Sequence, residues 1–137
     1  MSNTRIGQAS GFAPAVCFHK GKFHMVFVAD NESRELLHVV SEDGFSWARL
    51  NNLKQSTKQS PAIASFNDKL QVVFVANNDT NQLLTCTYVD GVDLWTNQAG
   101  LGEASKSAPT LEQTNRLFMY FTANNDSNDL LVTEIFS

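Results

Sequence analysis

The sequence contains few charged residues and no long hydrophobic run. Of its 137 residues, 18% are charged and 42% are hydrophobic, a composition typical of one soluble globular domain. No apolar stretch approaches the length of a membrane span, and the start, MSNTRIGQAS, lacks the apolar core of a signal peptide. We therefore expect no membrane insertion, and a location in the cytoplasm or release without a signal peptide.

Basic residues and cysteines are also scarce. The ten lysines and arginines are scattered and are outnumbered by fourteen acidic residues, which argues against a nucleic-acid partner. Cys17 and Cys86 occupy non-equivalent places in the repeats described below, and neither has a metal-type neighbour. A repeated disulfide and a zinc site are therefore disfavoured. We predict two buried free thiols, with no cofactor and no metal.

What the sequence does contain is a repeat. The segment FVADNESRELL at Phe27–Leu37 returns as FVANNDTNQLL at Phe74–Leu84 and as FTANNDSNDLL at Phe121–Leu131. Each copy begins 47 residues after the previous one. A fixed period in this range is typical of solenoids, propellers and arrays, because one such unit cannot bury its own apolar face.

Each repeat is predicted to form four short strands, since no window shows helical periodicity. The first strand follows a proline, and the next is rich in β-branched and aromatic residues. A polar turn leads to the third strand, and the fourth opens on Trp47 or Trp95. The predicted first strands are Ala15–Phe18, Ala62–Phe66 and Thr110–Glu112; the second, Phe23–Ala29, Leu70–Ala76 and Leu117–Ala123; the third, Leu36–Ser41, Leu83–Tyr88 and Leu130–Ile135. Four antiparallel strands per repeat predict propeller blades.

The two ends of the sequence predict how the blades assemble. Repeat three stops at Ser137 before its fourth strand, whereas Ile6 and Gly7 match Leu101 and Gly102 of the second repeat. We expect the N-terminal segment 1–9 to supply the outer strand of a last blade. Since three blades do not close a ring, residues 1–137 are predicted to form one all-β domain that is half of a propeller. Two chains would then close a six-bladed β-propeller as a homodimer.

The turn Ser41–Trp47, with the sequence SEDGFSW, resembles the Asp-box motif (Ser-x-Asp-x-Gly-x-x-Trp) of sialidase-like propellers, with one residue fewer between Ser and Gly. The segment Tyr88–Trp95 keeps the Asp, Gly and Trp at a different spacing. The resemblance implies a structural turn between the third and fourth strands. The whole repeat is also similar to those of symmetric bacterial and fungal β-propeller lectins, which implies several similar sugar pockets around a ring.

Polar loops between the second and third strands are the candidate ligand site. In a propeller they share one face with the segments that join successive blades, and Asn and Asp side chains can pair with adjacent sugar hydroxyls. The alternative is that these residues only build the turns. Calcium is a third option, although no loop matches the calcium-loop pattern. The predicted ligand-binding residues are Asp30, Asn31, Asn77, Asn78, Asp79, Asn81, Asn124, Asn125, Asp126, Asn128, Ser60 and Ser107.

Catalysis has little support in the sequence. There is no Ser-His-Asp signature, no phosphate-binding glycine loop and no zinc spacing. His19, His24 and His38 all fall in repeat one, which favours satisfied or exposed histidines over a catalytic base or a metal set. Trp47 and Trp95 are predicted to have a core or blade-packing role.

The sequence therefore favours a protein that is not an enzyme. We predict a multivalent carbohydrate-binding propeller, whose partners are a second copy of itself and glycans. The alternative is a protein–protein interaction scaffold without a small ligand. A glycosidase-like or sialidase-like enzyme is less favoured, because the near-equal repeats show no single divergent site. Fold alone does not decide among these functions.

Overall fold

The computed structural model describes residues 2–136 and contains twelve β-strands within them. Met1, the first residue of the predicted outer-strand segment, and Ser137 lie outside the described residues. No helix in the described part of the chain is long and apolar enough to cross a membrane. The strands are β1 Ala15–His19, β2 Lys22–Val28, β3 Glu35–Ser41, β4 Ala48–Ser56, β5 Ala62–Phe66, β6 Lys69–Val75, β7 Gln82–Val89, β8 Leu94–Trp95, β9 Ala99–Ala104, β10 Thr110–Gln113, β11 Leu117–Thr122 and β12 Leu130–Ile135.

The strands form three antiparallel sheets, one for each repeat. Sheet 1 has the order β1-β2-β3-β4, and sheet 2 has the order β5-β6-β7, with β8 and β9 both paired to β7. Sheet 3 has the order β10-β11-β12. The first three strands of every repeat are confirmed with ends that differ from the prediction by one residue at most.

The fourth strand of repeat two differs from the prediction because it is divided. Trp95 pairs with Tyr88, and Ala99 pairs with Thr85, so the register moves by one residue between β8 and β9. Such an irregularity bends an outer strand without removing it from the sheet. Residues 2–9, predicted as an outer strand, form no strand within their own chain.

Apolar cores lie between neighbouring sheets. Val26 and Leu36 of sheet 1 pack against Val72 and Phe74 of sheet 2, and the opposite face of sheet 2 packs against sheet 3. Because both faces of sheet 2 are covered, consecutive residues of β6 are buried, and Val72–Val75 have no exposed surface. This arrangement explains why the central strand of the repeat is a continuous apolar run and does not alternate.

The thiols are only partly as predicted. Both cysteines are free, and Cys86 is buried in the core between sheets 1 and 2. Cys17, however, is half-buried. It lies on β1, the first strand of a sheet with only one neighbouring sheet, so one of its sides remains partly open.

Candidate functional site

The polar loops and the segments that join the sheets lie at the same end of the molecule, as predicted. Lys58, in the segment joining sheets 1 and 2, donates from Nζ to the carbonyl oxygen of Asn78 at 3.3 Å and to Oδ1 of Asn81 at 2.9 Å. Lys106, joining sheets 2 and 3, donates to the carbonyl oxygen of Asn125 at 2.8 Å. We call this end, formed by the β2–β3, β6–β7 and β11–β12 loops, the loop end.

One hydrogen-bonded turn recurs in all three loops. Oδ1 of Asn78 accepts bonds from the backbone nitrogen of Thr80 at 2.9 Å and from its hydroxyl at 2.5 Å. Asn31 and Asn125 accept the equivalent pairs of bonds from the serines two residues further on. The amide oxygens therefore build the turns. The amide nitrogens have no hydrogen-bond partner among residues 2–136, and all three asparagines are exposed.

Several other predicted site residues connect neighbouring repeats. Nδ2 of Asn81 donates to Oδ1 of Asn124 at 2.8 Å, which joins the loops of sheets 2 and 3. Oγ of Ser60 accepts from the backbone nitrogen of Ala13 at 3.1 Å, whereas Ser107 bonds Thr122 within its own repeat at 2.7 Å. The structure thus brings part of the predicted set into one polar strip across the sheets.

The remaining predicted site residues, Asp30, Asn77, Asp79, Asp126 and Asn128, lie on exposed loop positions. Asn128 and the half-buried Asn81 adopt left-handed backbone, with φ of 59° and 55°, a conformation that asparagine tolerates better than most residues. The other four do not adopt this backbone conformation. Carboxylate and amide groups are therefore accessible in every loop.

The two tryptophans pack where the sequence predicts. Trp95 lies against the core between sheets 1 and 2, and Trp47 lies against the cluster formed by Met25, Phe27 and Val39. The indole nitrogen of Trp47 also donates to the carbonyl oxygen of Gly44 at 3.2 Å. Neither tryptophan contributes an aromatic platform at the loop end.

The Ser41–Trp47 turn, at the opposite end of sheet 1, is held by its own side chains. Oδ1 of Asp43 accepts bonds from the backbone nitrogens of Phe45 and Ser46 at 2.8 and 2.9 Å, and Oγ of Ser41 accepts from the nitrogen of Gly44 at 2.8 Å. The two backbone bonds, followed by the bond from Ser41, lower the pKa of the Asp43 carboxyl. This carboxylate is engaged in building the turn.

The same opposite end carries a polar cavity of about 290 Å³ between sheets 1 and 2. Here Nζ of Lys20 bonds Asp90 at 2.9 Å, and the hydroxyl of Tyr88 donates to Asp93 at 2.5 Å. The residues lining the cavity are His19, Lys20, Lys22, His24, Arg49, Tyr88, Asp90, Gly91 and Asp93. Sequence reasoning missed this cluster, because residues far apart in the sequence, such as His19 and Asp90, meet only where sheets 1 and 2 pack together.

Two of the histidines form a buried pair. Nδ1 of His24 lies 2.9 Å from Nε2 of His38, and the two rings are stacked with 3° between their planes. Burial, followed by the charge of the neighbouring histidine, lowers the pKa of His24 to about 4 and that of His38 to about 3. Both rings are therefore neutral at pH 7 and act as core residues. The prediction that the histidines are satisfied holds only in part, because Nδ1 of His38 is buried without a hydrogen-bond partner among residues 2–136.

The third histidine belongs to a chain of hydrogen bonds that superficially resembles a catalytic triad. Nδ1 of His19 lies 2.6 Å from Oγ of Ser65, and Nε2 lies 3.1 Å from Oδ1 of Asp90. Ser65 is not among the residues that line the cavity. No group of three or more His, Cys, Asp or Glu within residues 2–136 is arranged to hold a metal ion.

Comparisons with known proteins define the fold. No protein-family model and no curated protein matches the chain. A Dyadobacter fermentans DSM 18053 protein of unknown function is similar, with a TM-score of 0.69 and 13% identity over 83% of this chain and 34% of that one. The Bacteroides ovatus protein "Xyloglucan PUL GH43B" is similar with a TM-score of 0.66 and 12% identity, over 92% of this chain and 27% of that one.

The chain thus spans about a third of the first structure and about a quarter of the second. The Bacteroides protein has a five-bladed propeller fold, and three consecutive sheets of this chain align with part of such a structure. The protein is therefore an all-β protein with a propeller-like fold. At these identities the likeness concerns the fold alone.

Proposed function

We propose that this protein binds carbohydrate at the loop end, with one binding position in each repeat. The observation that carries the proposal is the threefold repetition of one turn that uses the oxygen of Asn31, Asn78 or Asn125 and leaves its amide nitrogen exposed. Several weak equivalent positions on one face gain avidity when they engage one glycan surface, by roughly 10²–10⁴-fold.

Each loop offers the two kinds of group that neighbouring sugar hydroxyls require. The residue after the turn asparagine is an acid in every repeat, Glu32, Asp79 or Asp126, and all three are exposed. An amide nitrogen that donates and a carboxylate that accepts are thus adjacent in the chain, a combination that suits vicinal hydroxyl groups. The carbohydrate ligand is also consistent with the resemblance of the repeats to propeller lectins.

The repeats are not equal at this end. Lysines bond the loops of repeats two and three, but Gly11 stands at the corresponding place before repeat one. Since these ammonium groups hold the backbone of the two loops through Asn78 and Asn125, those loops are better ordered for binding. We expect repeats two and three to bind more tightly than repeat one.

A binding role is preferred to catalysis, and a small ligand is preferred to a protein scaffold. The hydrogen-bonded chain Ser65–His19–Asp90 places no nucleophile in the cavity next to it. The exposed side chains of the three loops at the loop end are polar, whereas protein interfaces are enriched in aromatic anchors. The name of the Bacteroides protein refers to xyloglucan, which makes xyloglucan oligosaccharides a sensible first ligand beside a broad glycan array.

The test separates ligand binding from turn formation. Replacing Asn78 and Asn125 by Asp keeps the oxygen that accepts the turn bonds and removes the amide donors, whereas replacing both by Ala removes the turn bonds as well. We expect the Asp variant to keep the melting temperature and to lose about 2- to 10-fold in affinity per loop, as a hydrogen bond of about 0.5–1.5 kcal/mol predicts. The Ala variant should lose both.

Binding is measured by a glycan array and by calorimetric titration of the tightest-binding glycan. Lys22→Ala, at the cavity of the opposite end, is the control and should bind normally. If the folded wild-type protein binds no glycan, the proposal is wrong. It is equally wrong if the Asp variant binds normally while Lys22→Ala does not, because the site would then lie at the opposite end.

A further inference from the structure

Sheets 1 and 2 each use equivalent residues of the repeat to contact the next sheet. The face of sheet 1 that meets sheet 2 contains Val26 and Leu36, and the face of sheet 2 that meets sheet 3 contains the residues 47 positions later, Val73 and Leu83. All four side chains are fully buried. We call this the forward face of a sheet.

Sheet 3 has the same forward face without a cover. The equivalent residues, 47 positions further on, are Tyr120 and Leu130, which are 44% and 84% exposed, and Val132 beside them is 55% exposed. An apolar strand face that is open in the third repeat and buried in the first two marks an interaction surface.

Sheet 1 has the complementary face, also partly open. We call the face of a sheet that contacts the preceding sheet its receiving face. In sheet 2 this face includes Ile63, which packs against the core shared with sheet 1, and Ser65, which bonds His19. Their equivalents in sheet 1, Val16 and Phe18, are 49% and 56% exposed. The centre of this face, Met25, Phe27 and Val39, is already buried beside Trp47. The chain therefore presents an open forward face at one end and, at the other, a receiving face that is exposed along its first strand.

The N-terminal segment has the backbone of an outer strand although it has no sheet of its own. Ser10 forms an isolated bridge to Ala29, as Thr57 does to Ala76 and Ser105 to Ala123. The residue three positions before each bridge also has left-handed backbone in all three segments. Gly7, Lys54 and Gly102 have φ of 94°, 59° and 78°. Residues 2–9 thus lie beside sheet 1 in the way that β4 lies beside sheet 2 and β9 beside sheet 3.

We propose that two copies of this chain associate reciprocally, with the forward face of sheet 3 of each packing on the receiving face of sheet 1 of the other. Residues 2–9 of each copy then pair with β12 of the other as the fourth strand of its third sheet. Within the chain, Gln82 pairs with Ala104 and Leu84 with Gly100. The repeat places Asp129 opposite Ala9 of the second copy, and Leu131 opposite Arg5.

A second copy is the occupant that the structure favours, because the exposed apolar residues of sheets 1 and 3 lie on the two sides of an interface already present twice in the chain. When sheet 3 of the second copy packs in turn on sheet 1 of the first, the head-to-tail contacts close into a ring of six sheets. It also pairs the open edge of β12, which would otherwise be available for uncontrolled association.

The first test is the mass in solution by sedimentation velocity at micromolar concentration. With a chain mass of 15.2 kDa, a species of about 30 kDa is expected. Leu130→Asp places a charge on a side chain that is 84% exposed in the single chain, so the chain should fold and sediment as a monomer. Leu50→Asp is the matched control, since Leu50 is 57% exposed on the outer strand β4, and it should remain a dimer.

The second test checks the register in which residues 2–9 of one copy pair with β12 of the other. Antiparallel partners lie within reach of a disulfide, so Ala9→Cys combined with Asp129→Cys should give a covalent dimer on a non-reducing gel. Ala9→Cys combined with Thr133→Cys, displaced by four residues or about 13 Å along the strand, should not. A monomeric wild-type protein, an oligomer larger than two, a dimer that survives Leu130→Asp, or a disulfide only in the Thr133 pair would each overturn the proposal.

Discussion

Acid should destabilise this protein below about pH 6.5, because two buried histidines remain neutral in the folded state. The neutral rings of His24 and His38 are 3% and 0% exposed, and burial lowers their pKa values to about 4 and about 3. In the unfolded chain a histidine takes up a proton near pH 6.5. Between these values the unfolded state binds more protons than the folded state, so stability is present above pH 6.5 and falls as the pH is lowered.

The loss of folding free energy follows from how far the pH lies below the pKa of a histidine in the unfolded chain. One pKa unit corresponds to about 1.36 kcal/mol, and pH 5 lies about 1.5 units below the unfolded value. Each histidine should then cost about 2 kcal/mol at pH 5, and the pair up to about 4 kcal/mol. That is a large part of the about 5–15 kcal/mol that stabilises a typical domain. The Asp43 and Asp90 carboxyls also have lowered pKa values in the folded protein. Their protonation therefore reduces the free energy of unfolding further only as the pH falls below about 4.

The assay is urea unfolding from pH 7.5 to pH 5 at one protein concentration. The double variant His24→Phe/His38→Phe keeps the ring volumes and removes both titrating groups, and phenylalanine already occupies the equivalent of His24 in repeat three, at Phe118. We expect the free energy of unfolding to fall with pH in the wild type and to change much less in the variant. An equal fall in both proteins, or none in the wild type, would show that the buried histidines are not the cause of acid destabilisation.

Two further predictions concern buried side chains. Leu83→Ala, in the core between sheets 2 and 3, should lower the free energy of unfolding by about 2–5 kcal/mol, whereas Leu50→Ala on the exposed side of β4 should change it by less than about 0.5 kcal/mol; equal urea midpoints would contradict this. Cys86 is buried and its pKa is raised to about 11, so a thiol reagent at pH 8 should label only the half-buried Cys17 in the folded protein, as mass spectrometry can check. Labelling of Cys86 before unfolding would be inconsistent with the packing.

The strands could be predicted from the sequence because their signals are local and occur three times. A proline before β5, an apolar run over β6 and a polar turn before β7 each fix one boundary, and the same pattern occurs 47 residues earlier, at β1, β2 and β3. The break between β8 and β9 could not be predicted, because a one-residue shift in register depends on how the outer strand bends over its neighbour.

The candidate site was only partly predictable, because some of its contacts are local in the sequence and others join different sheets. The turn at Asn78 was found, because an asparagine that bonds a residue two positions later is a local feature. The contact of Asn81 with Asn124, 43 residues apart, needs two sheets at a fixed distance. The cavity around His19 and Asp90, 71 residues apart, likewise exists only because sheets 1 and 2 pack together.

The repeat, the strands and the class of fold follow from local patterns in the sequence, since period, alternation and turn chemistry act within a few residues of each position. Which face each strand presents to the next sheet depends instead on how the sheets pack. Leu36, Leu83 and Leu130 are equivalent in sequence, yet two are completely buried and one is 84% exposed. That difference depends on whether another sheet lies beyond the strand, which no local pattern records.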